Sequence, residues 1–346
     1  MKLPVRIILA LLCAAMVLAM PFVLSSPTML GDAVQQIRDQ TEDEDEIDLF
    51  SWLLPHACAE DTQPQTAVEY ELPIDLTAGM KPNPACFTEA GYEDDSIRVQ
   101  METREEDGVI WRIAWVEVAS PTQLRTGVAG TVNKPKNRLV KTIAAECNAV
   151  VALNGDWFSN DPDKTTFEYR MGQKIRSKTN RYKDILIIDE NGDFHIIMAA
   201  EPDIQKAAIQ AVAKEHQIVN AFTFGPALVD GGEVLNLKKG HAYQLGRKDY
   251  GYNSQGKEPR SAIGQLDTLS YVFVIAEGRG DSEGVTHQEL ADFMGTLGCR
   301  AAFNLDGGGT ATLVFNGEVY NKIGGDPRQQ SDIIYFATAV PPETWE

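Results

Sequence analysis

Apolar and polar positions alternate with a period of two over long stretches of this chain, and the alternation breaks at residues that favour tight turns. From Ser96 to Val118, SIRVQMETREEDGVIWRIAWVEV sets β-branched and aromatic residues on either side of Asp107-Gly108, which predicts a hairpin. The same logic predicts hairpins at Asn191-Gly192 within DILIIDENGDFHIIM, at Gly231-Gly232 within ALVDGGEVLN, and at Asn316-Gly317 within TATLVFNGEVYN. Helical periodicity is rarer. DIQKAAIQAVAKEHQ, Asp203 to Gln217, opens on an acid and continues in helix formers. THQELADFMGTLG spaces Leu290, Phe293, Met294 and Leu297 at i, i+3, i+4 and i+7, with Thr286 and Glu289 at capping-box spacing and Gly298 as the stop. Hairpins with scattered helices predict an α+β fold, with mixed, hairpin-rich sheets and a few packed helices in a single catalytic domain over 96–341.

Ahead of that domain the pattern changes. Lys2 and Arg6 precede an apolar run of 18 residues, Ile7 to Leu24, the arrangement of a signal peptide or signal anchor over residues 1–25. No small-x-small site follows the run cleanly, so the reading leans toward a retained anchor. Residues 26–67 hold the charge block TEDEDEID, Thr41 to Asp48, and read as an acidic stalk, with 68–95 a leader region before the domain. The expectation is an exported protein, extracellular or at the cell surface, whose membrane contact is confined to the N-terminal segment.

At 346 residues and 43% hydrophobic content the chain has the composition of a globular protein, and its net charge of −19 argues against binding a nucleic-acid backbone. Four cysteines lie beyond the leader, Cys58, Cys86, Cys147 and Cys299. Export and an even count permit disulfides, while wide, irregular spacing and apolar neighbours fit buried free thiols equally well. The histidines, His56, His195, His216, His241 and His287, show no HExxH or other ligand spacing, and His195 in a hairpin strand reads as structural.

The candidate chemistry sits at strand ends. In NLDGGGTAT, Asn304 and Asp306 share one side of a strand by alternation, and Gly307, Gly308 and Gly309 allow a ligand to approach bare backbone whose N–H groups could hold an anion, with Thr310 next. The alternative is a tight turn capped by Asp306. VVALNGDWF repeats the form: Asn154 and Asp156 end a buried-type strand beside Trp157 and Phe158, a pairing of polar groups and rings that suits a sugar. Arg260 opens the strand PRSAIG, and Glu277 and Arg279 end the strand YVFVIAEGRG. Arginine suits phosphate through its planar fork of donors, although a surface salt bridge is the default for either arginine alone.

Taken in order, ALNGDWF, RSAIG, the EGR turn, GVTHQELADFMGTLGC and AFNLDGGGTAT resemble the phosphodiester glycosidase family, from about Asn148 to Phe336. Asp156 and Trp157 stand where Gly and Tyr are common in that family, Glu277 where Asp is common, and Thr310 keeps the hydroxyl of the usual Ser. The resemblance implies hydrolysis of a sugar-1-phosphodiester, releasing free sugar and a phosphomonoester. An N-acetylglucosamine-1-phosphate linkage, in an envelope or capsule polymer, is the substrate it suggests. On this reading Asp306 and Glu277 take the catalytic carboxylate roles, with Asp156 in reserve. Arg260 and Arg279 clamp the phosphate, Asn154 and Asn304 bind sugar hydroxyls, and Gly307, Gly308, Gly309 and Thr310 line the anion. No cofactor is required, although a divalent cation such as Ca²⁺ or Mg²⁺ is compatible with the carboxylates. Two other readings compete: a metal-dependent phosphodiesterase with Asp156, Asp306 and Asp332 as oxygen ligands, and a non-catalytic cell-surface glycan-binding module.

Overall fold

The computed structural model describes residues 78–156, 158–159, 165–237 and 256–345, all within the unit Tyr70–Glu346. The N-terminal apolar run, the acidic stalk, Cys58, His56, His241 and Trp157 lie outside the described residues. In chain order the strands begin β1 (Gly91–Glu93), β2 (Ile97–Glu106), β3 (Val109–Val118), β4 (Leu124–Val128), β5 (Gly130–Thr131), β6 (Lys134–Pro135) and β7 (Val151–Asn154). They continue as β8 (Phe167–Arg170), β9 (Gln173–Ser177), β10 (Ile185–Asp189), β11 (Phe194–Ile197), β12 (Ile218–Phe222), β13 (Ala227–Asp230) and β14 (Glu233–Val234). The last are β15 (Arg260–Asp267), β16 (Ser270–Ala276), β17 (Ala301–Asn304), β18 (Leu313–Phe315), β19 (Glu318–Val319) and β20 (Asp332–Phe336). Among the described residues three α-helices accompany them: α1 (Val140–Glu146), α2 (Pro202–Glu215) and α3 (His287–Thr296).

The strands form an eight-stranded sheet in the order β1-β2-β3-β16-β15-β17-β13-β14, two five-stranded sheets, β19-β18-β7-β20-β4 and β11-β10-β12-β8-β9, and the small ribbon β5-β6. The four predicted hairpins are present. Asp107, Gly108, Gly192, Gly231, Gly232, Asn316 and Gly317 all have positive φ, the conformation that turns of this kind demand.

The main core lies where the three larger sheets face one another. Phe273, Ile263 and Phe303 of the large sheet pack in one cluster with Leu153, Leu313 and Phe336 of the second and Leu186 and Phe222 of the third. Each buried side chain of this size contributes roughly 1.5–3 kcal/mol. Each helix then covers a second face. Leu290, Phe293 and Met294 of α3 lie on the large sheet, where Trp111 stacks on Phe293 at 3.6 Å between ring centres. Val140 and Ile143 of α1 cover β7 and β20, and Ile209 of α2 covers β10. A strand such as β10 is therefore buried on both faces, with Ile185 and Ile187 toward α2 and Leu186 and Ile188 toward the central core. Thr286 and Glu289 form the capping box of α3 as their spacing predicts. Helix α1 is absent from the sequence expectations: seven residues long and capped by Leu139 without a side-chain hydrogen bond, it carries neither signal. Among the described residues Cys86, Cys147 and Cys299 are free thiols.

Candidate active site

Antiparallel pairing brings chemically distinct segments to one edge. β15 begins where β16 and β17 end, with Arg260 opposite Ala276 and Ala262 opposite Asn304. In the second sheet β7 ends where β20 begins, Asn154 lying opposite Ile333. Asn154 ties the two edges together. Its Nδ2 donates to the carbonyls of Asp306 (2.7 Å) and Gly155 (2.9 Å), and its Oδ1 accepts the Thr312 amide at 3.0 Å. Ser261 Oγ donates to the same Asp306 carbonyl at 2.7 Å. The backbone at Asp306 is thus fixed from both sheets.

The glycines that follow are explained by close approach. A Cβ on Gly307 would lie 2.6 Å from the carbonyl oxygen of Pro259, and Gly308 has φ +65 with Arg279 Nη2 3.2 Å from where its Cβ would be. The turn's amides serve the turn itself: Gly308 N–H donates to Pro259 O at 2.8 Å, and the Gly307 amide meets the Asp306 carboxylate. That carboxylate also accepts from Gln330 Nε2 at 3.4 Å and lies 4.0 Å from Arg328 Nη1. Burial pushes the Asp306 carboxyl up to about 6, against the opposing pull of Thr310, Arg328, Gln330 and the Gly307 amide. A carboxyl that titrates near neutrality beside a cation is suited to accepting or giving a proton.

Two half-exposed guanidinium groups flank this turn. Arg279 is gripped by Glu258, with Nε and Nη2 each 2.6 Å from Oε2, and stands against Gly308. Arg328 donates its backbone N–H to Gly309 O at 3.0 Å on the other side. Arg260 is different. It is buried, donating from Nε to Val285 O at 3.1 Å and from Nη2 to Gly256 O at 3.0 Å, with Nη1 2.9 Å from His287 Nε2. Because a guanidinium only donates, Nε2 of His287 accepts, and the ring proton belongs on Nδ1. Burial and the charges of Arg260 and Lys183 push His287 well below its ordinary range, so the imidazole is neutral.

The other predicted carboxylates are held within the protein. Glu277 Oε1 accepts from Arg112 Nε at 2.7 Å and from the Lys322 amide at 2.8 Å. Asp156 is fully buried on Arg170, whose Nη2 lies 2.6 Å from Asp156 and 2.9 Å from Asp332, while Nη1 is 3.0 Å from Glu168. A side chain at Gly155 would meet the Asp332 carboxylate at 2.1 Å. Burial, then the charge on Asp156, pushes Glu168 well above the carboxylate range, so it holds a proton. Asp156 Oδ2 and Glu168 Oε2 are both buried without a hydrogen-bond partner. Asn304 donates to Gly225 O at 2.8 Å and keeps a buried Oδ1 without a partner.

The structure therefore gathers Asp306, Gly307, Gly308, Gly309, Thr310 and Arg279 at one turn and roots it through Asn154. Arg260, Glu277, Asp156 and Asn304 sit deeper. Arg328 and Gln330 escaped the sequence reading, although PRQQSDIIYF offers the same signal as PRSAIG, an arginine just before an apolar strand. Arg170, the partner of three carboxylates, lies in FEYRMG with nothing local to mark it. Asp156, Asp306 and Asp332 do not converge as a metal set. Among the described residues the His, Cys, Asp and Glu donors that do are Asp189, His195 and His216. A cavity of about 300 Å³ lined by Thr126, Cys147, Arg170, Met171 and Tyr335 contains none of the predicted site residues.

The chain belongs to the phosphodiester glycosidase family: the family's sequence model matches residues 147–337, over half of the chain. The fold is similar to the catalytic domain of zebrafish N-acetylglucosamine-1-phosphodiester alpha-N-acetylglucosaminidase, solved auto-inhibited by its pro-peptide. That likeness covers 75% of this chain and 87% of that one, with a TM-score of 0.54 and 17% identity. A hypothetical protein from Synechocystis is similar at a TM-score of 0.46 and 15% identity, covering 70% of this chain and 62% of that one. In sequence, the SPbeta prophage-derived uncharacterized protein YomE of Bacillus subtilis (strain 168) is 37% identical over 68 residues. These are 19% of this chain and 11% of that protein, so the match spans a small part of the relative's length.

Proposed function

We infer that this protein hydrolyses the glycosidic bond of a sugar-1-phosphodiester, with N-acetylglucosamine as the sugar, releasing free sugar and a phosphomonoester. The observation that carries the reading is Asp306, a carboxyl titrating near 6 on a glycine turn between the half-exposed guanidinium groups of Arg279 and Arg328. Membership of the family supports the reaction class.

In the proposed reaction, water attacks the anomeric carbon and gives its proton to the ionised Asp306. The bond between that carbon and the phosphate oxygen breaks, and its electron pair leaves with the oxygen. A phosphomonoester departs as a stable anion, so no acid need protonate it, and Arg279 and Arg328 meet its charge. Glu277 is assigned to holding Arg112 and the Lys322 amide in place rather than to the reacting atoms. Asp156 is assigned to the Arg170 cluster that supports the strand ends. Arg260, whose donors face Val285, His287 and Gly256, anchors the start of β15.

Export is part of the proposal, motivated by the basic-flanked apolar run Ile7 to Leu24, and would give access to an envelope or capsule polymer. Among the described residues no helix is long and apolar enough to cross a membrane.

Turnover in ¹⁸O-labelled water tests the bond that breaks. The proposal requires the label in the released sugar. Label in the phosphate instead would mean attack at phosphorus and a phosphodiesterase.

A further inference from the structure

Two histidines and an aspartate far apart in sequence spacing meet at one end of the third sheet. Asp189 closes β10, His195 lies in β11 across the Asn191-Gly192 turn, and His216 caps the C-terminus of α2. Their donor atoms all fall within 4.8 Å of one another. Asp189 is buried, and its Oδ1 accepts the amides of Asn191 (2.8 Å) and Asp193 (2.9 Å), which fixes the carboxylate and leaves Oδ2 for the imidazoles. His195 Nε2 lies 2.9 Å from Oδ2 and His216 Nδ1 lies 3.0 Å from the same atom. Glu190 stands beside the set, with Oε1 3.6 Å from His216 Nδ1, while its Oε2 accepts the Gln217 amide.

Hydrogen bonding alone accounts poorly for His216. Its Nδ1 is buried and makes no hydrogen bond of usable direction despite the 3.0 Å separation. If that nitrogen carries the proton, a buried donor is misaligned; if it carries the lone pair, two acceptors face each other. A cation held among the three donors removes both difficulties, because a lone pair on each nitrogen and on Oδ2 would then point at it. Four tetrahedral ligands with bonds of about 2.0–2.1 Å stand about 3.3–3.4 Å apart, so the separations of 2.9 and 3.0 Å would widen by about 0.4 Å around such an ion.

We propose that Asp189, His195 and His216 form a three-residue binding site for a first-row transition dication, zinc foremost. Imidazole donors favour zinc over magnesium and calcium, which prefer all-oxygen shells. The two backbone amides on Asp189 Oδ1 act as the outer contacts that orient a ligating carboxylate. The ion would clip the β10-β11 hairpin to the end of α2. The side chains of His195 and His216 are 26% and 30% exposed, so an ion can enter. None of these residues belongs to the Asp306 turn, and the site stands or falls separately from the proposed reaction.

The test is zinc content and cobalt spectroscopy on the untagged full chain, compared with His195→Ala and His216→Ala. Zinc is added, then excess is removed by dialysis against a weak chelator. The expected result is one equivalent of zinc retained by the wild type and less than about a tenth of that by either variant. Co²⁺ should give the wild type the strong visible bands of a four-coordinate site, and neither variant should show them. Zinc at about a hundredfold excess over its Kd should raise the wild-type Tm by several degrees, a shift the variants lack. Unchanged far-ultraviolet circular dichroism would show that the variants are folded. Wild-type protein that retains no stoichiometric zinc overturns the proposal, as do variants that retain as much as the wild type.

Discussion

Asp306 and Arg170 show how differently buried charge is used within one molecule. Asp306 titrates at about 6 when folded, against an ordinary value of 3.8. Ionising it therefore costs more in the folded than in the unfolded chain. Its favourable contribution is fully present below about pH 4 and is lost as the pH rises to about 6. Asp306→Asn removes that penalty, so at pH 7 the variant should be more stable by on the order of 3 kcal/mol before any loss of hydrogen bonding. Urea titration at pH 4.5 and 7 checks this: the gain should appear at the higher pH and shrink at the lower. Arg170 is the opposite case. Removing it leaves Asp156, Asp332 and Glu168 buried without their cation. Arg170→Met should cost about 3–5 kcal/mol or abolish folding. Glu168→Gln, which replaces one neutral donor by another, should cost under about 1 kcal/mol. Equal losses from the two variants would contradict a protonated Glu168.

At the scale of elements, what could be read in advance was what local chemistry controls. The Asn-Gly, Asp-Gly and Gly-Gly turns place their own hairpins, and Thr286 with Glu289 starts α3, since each rests on backbone groups within a few residues. Thr286→Ala should lower stability by about 1 kcal/mol, seen as a shift in urea midpoint at unchanged slope. Helix α1 was not legible, because its reason for existing is the apolar surface of β7 and β20 beneath it. The placing of Asn154, Asp306 and Arg279 at strand ends was legible, because there polar residues interrupt apolar runs. Arg328 and Gln330 were not, since only sheet pairing between β20 and β7 brings them beside Asp306. The same holds for Asp189, His195 and His216, whose convergence depends on a hairpin and a helix end meeting. Sequence spacing shows ligand sets built on one element, and this one spans three.

For the whole molecule, the proposed reaction takes place at the edge where two sheets are stitched by Asn154, on the turn that edge supports. Arg279→Met and Arg328→Met should each lower kcat/KM on a sugar-1-phosphodiester by about tenfold to a hundredfold, with far-ultraviolet spectra unchanged. Asp306 is proposed to act as the ionised base of a glycosidic hydrolysis. The most direct test of that role is the pH dependence of kcat/KM for the full chain on an N-acetylglucosamine-1-phosphodiester, measured beside Asp306→Asn. The wild-type rate should climb with an apparent pKa near 6 toward a plateau, and the variant should be at least about a hundredfold slower across the range while more stable at pH 7. A variant that keeps the wild-type rate and profile would contradict it.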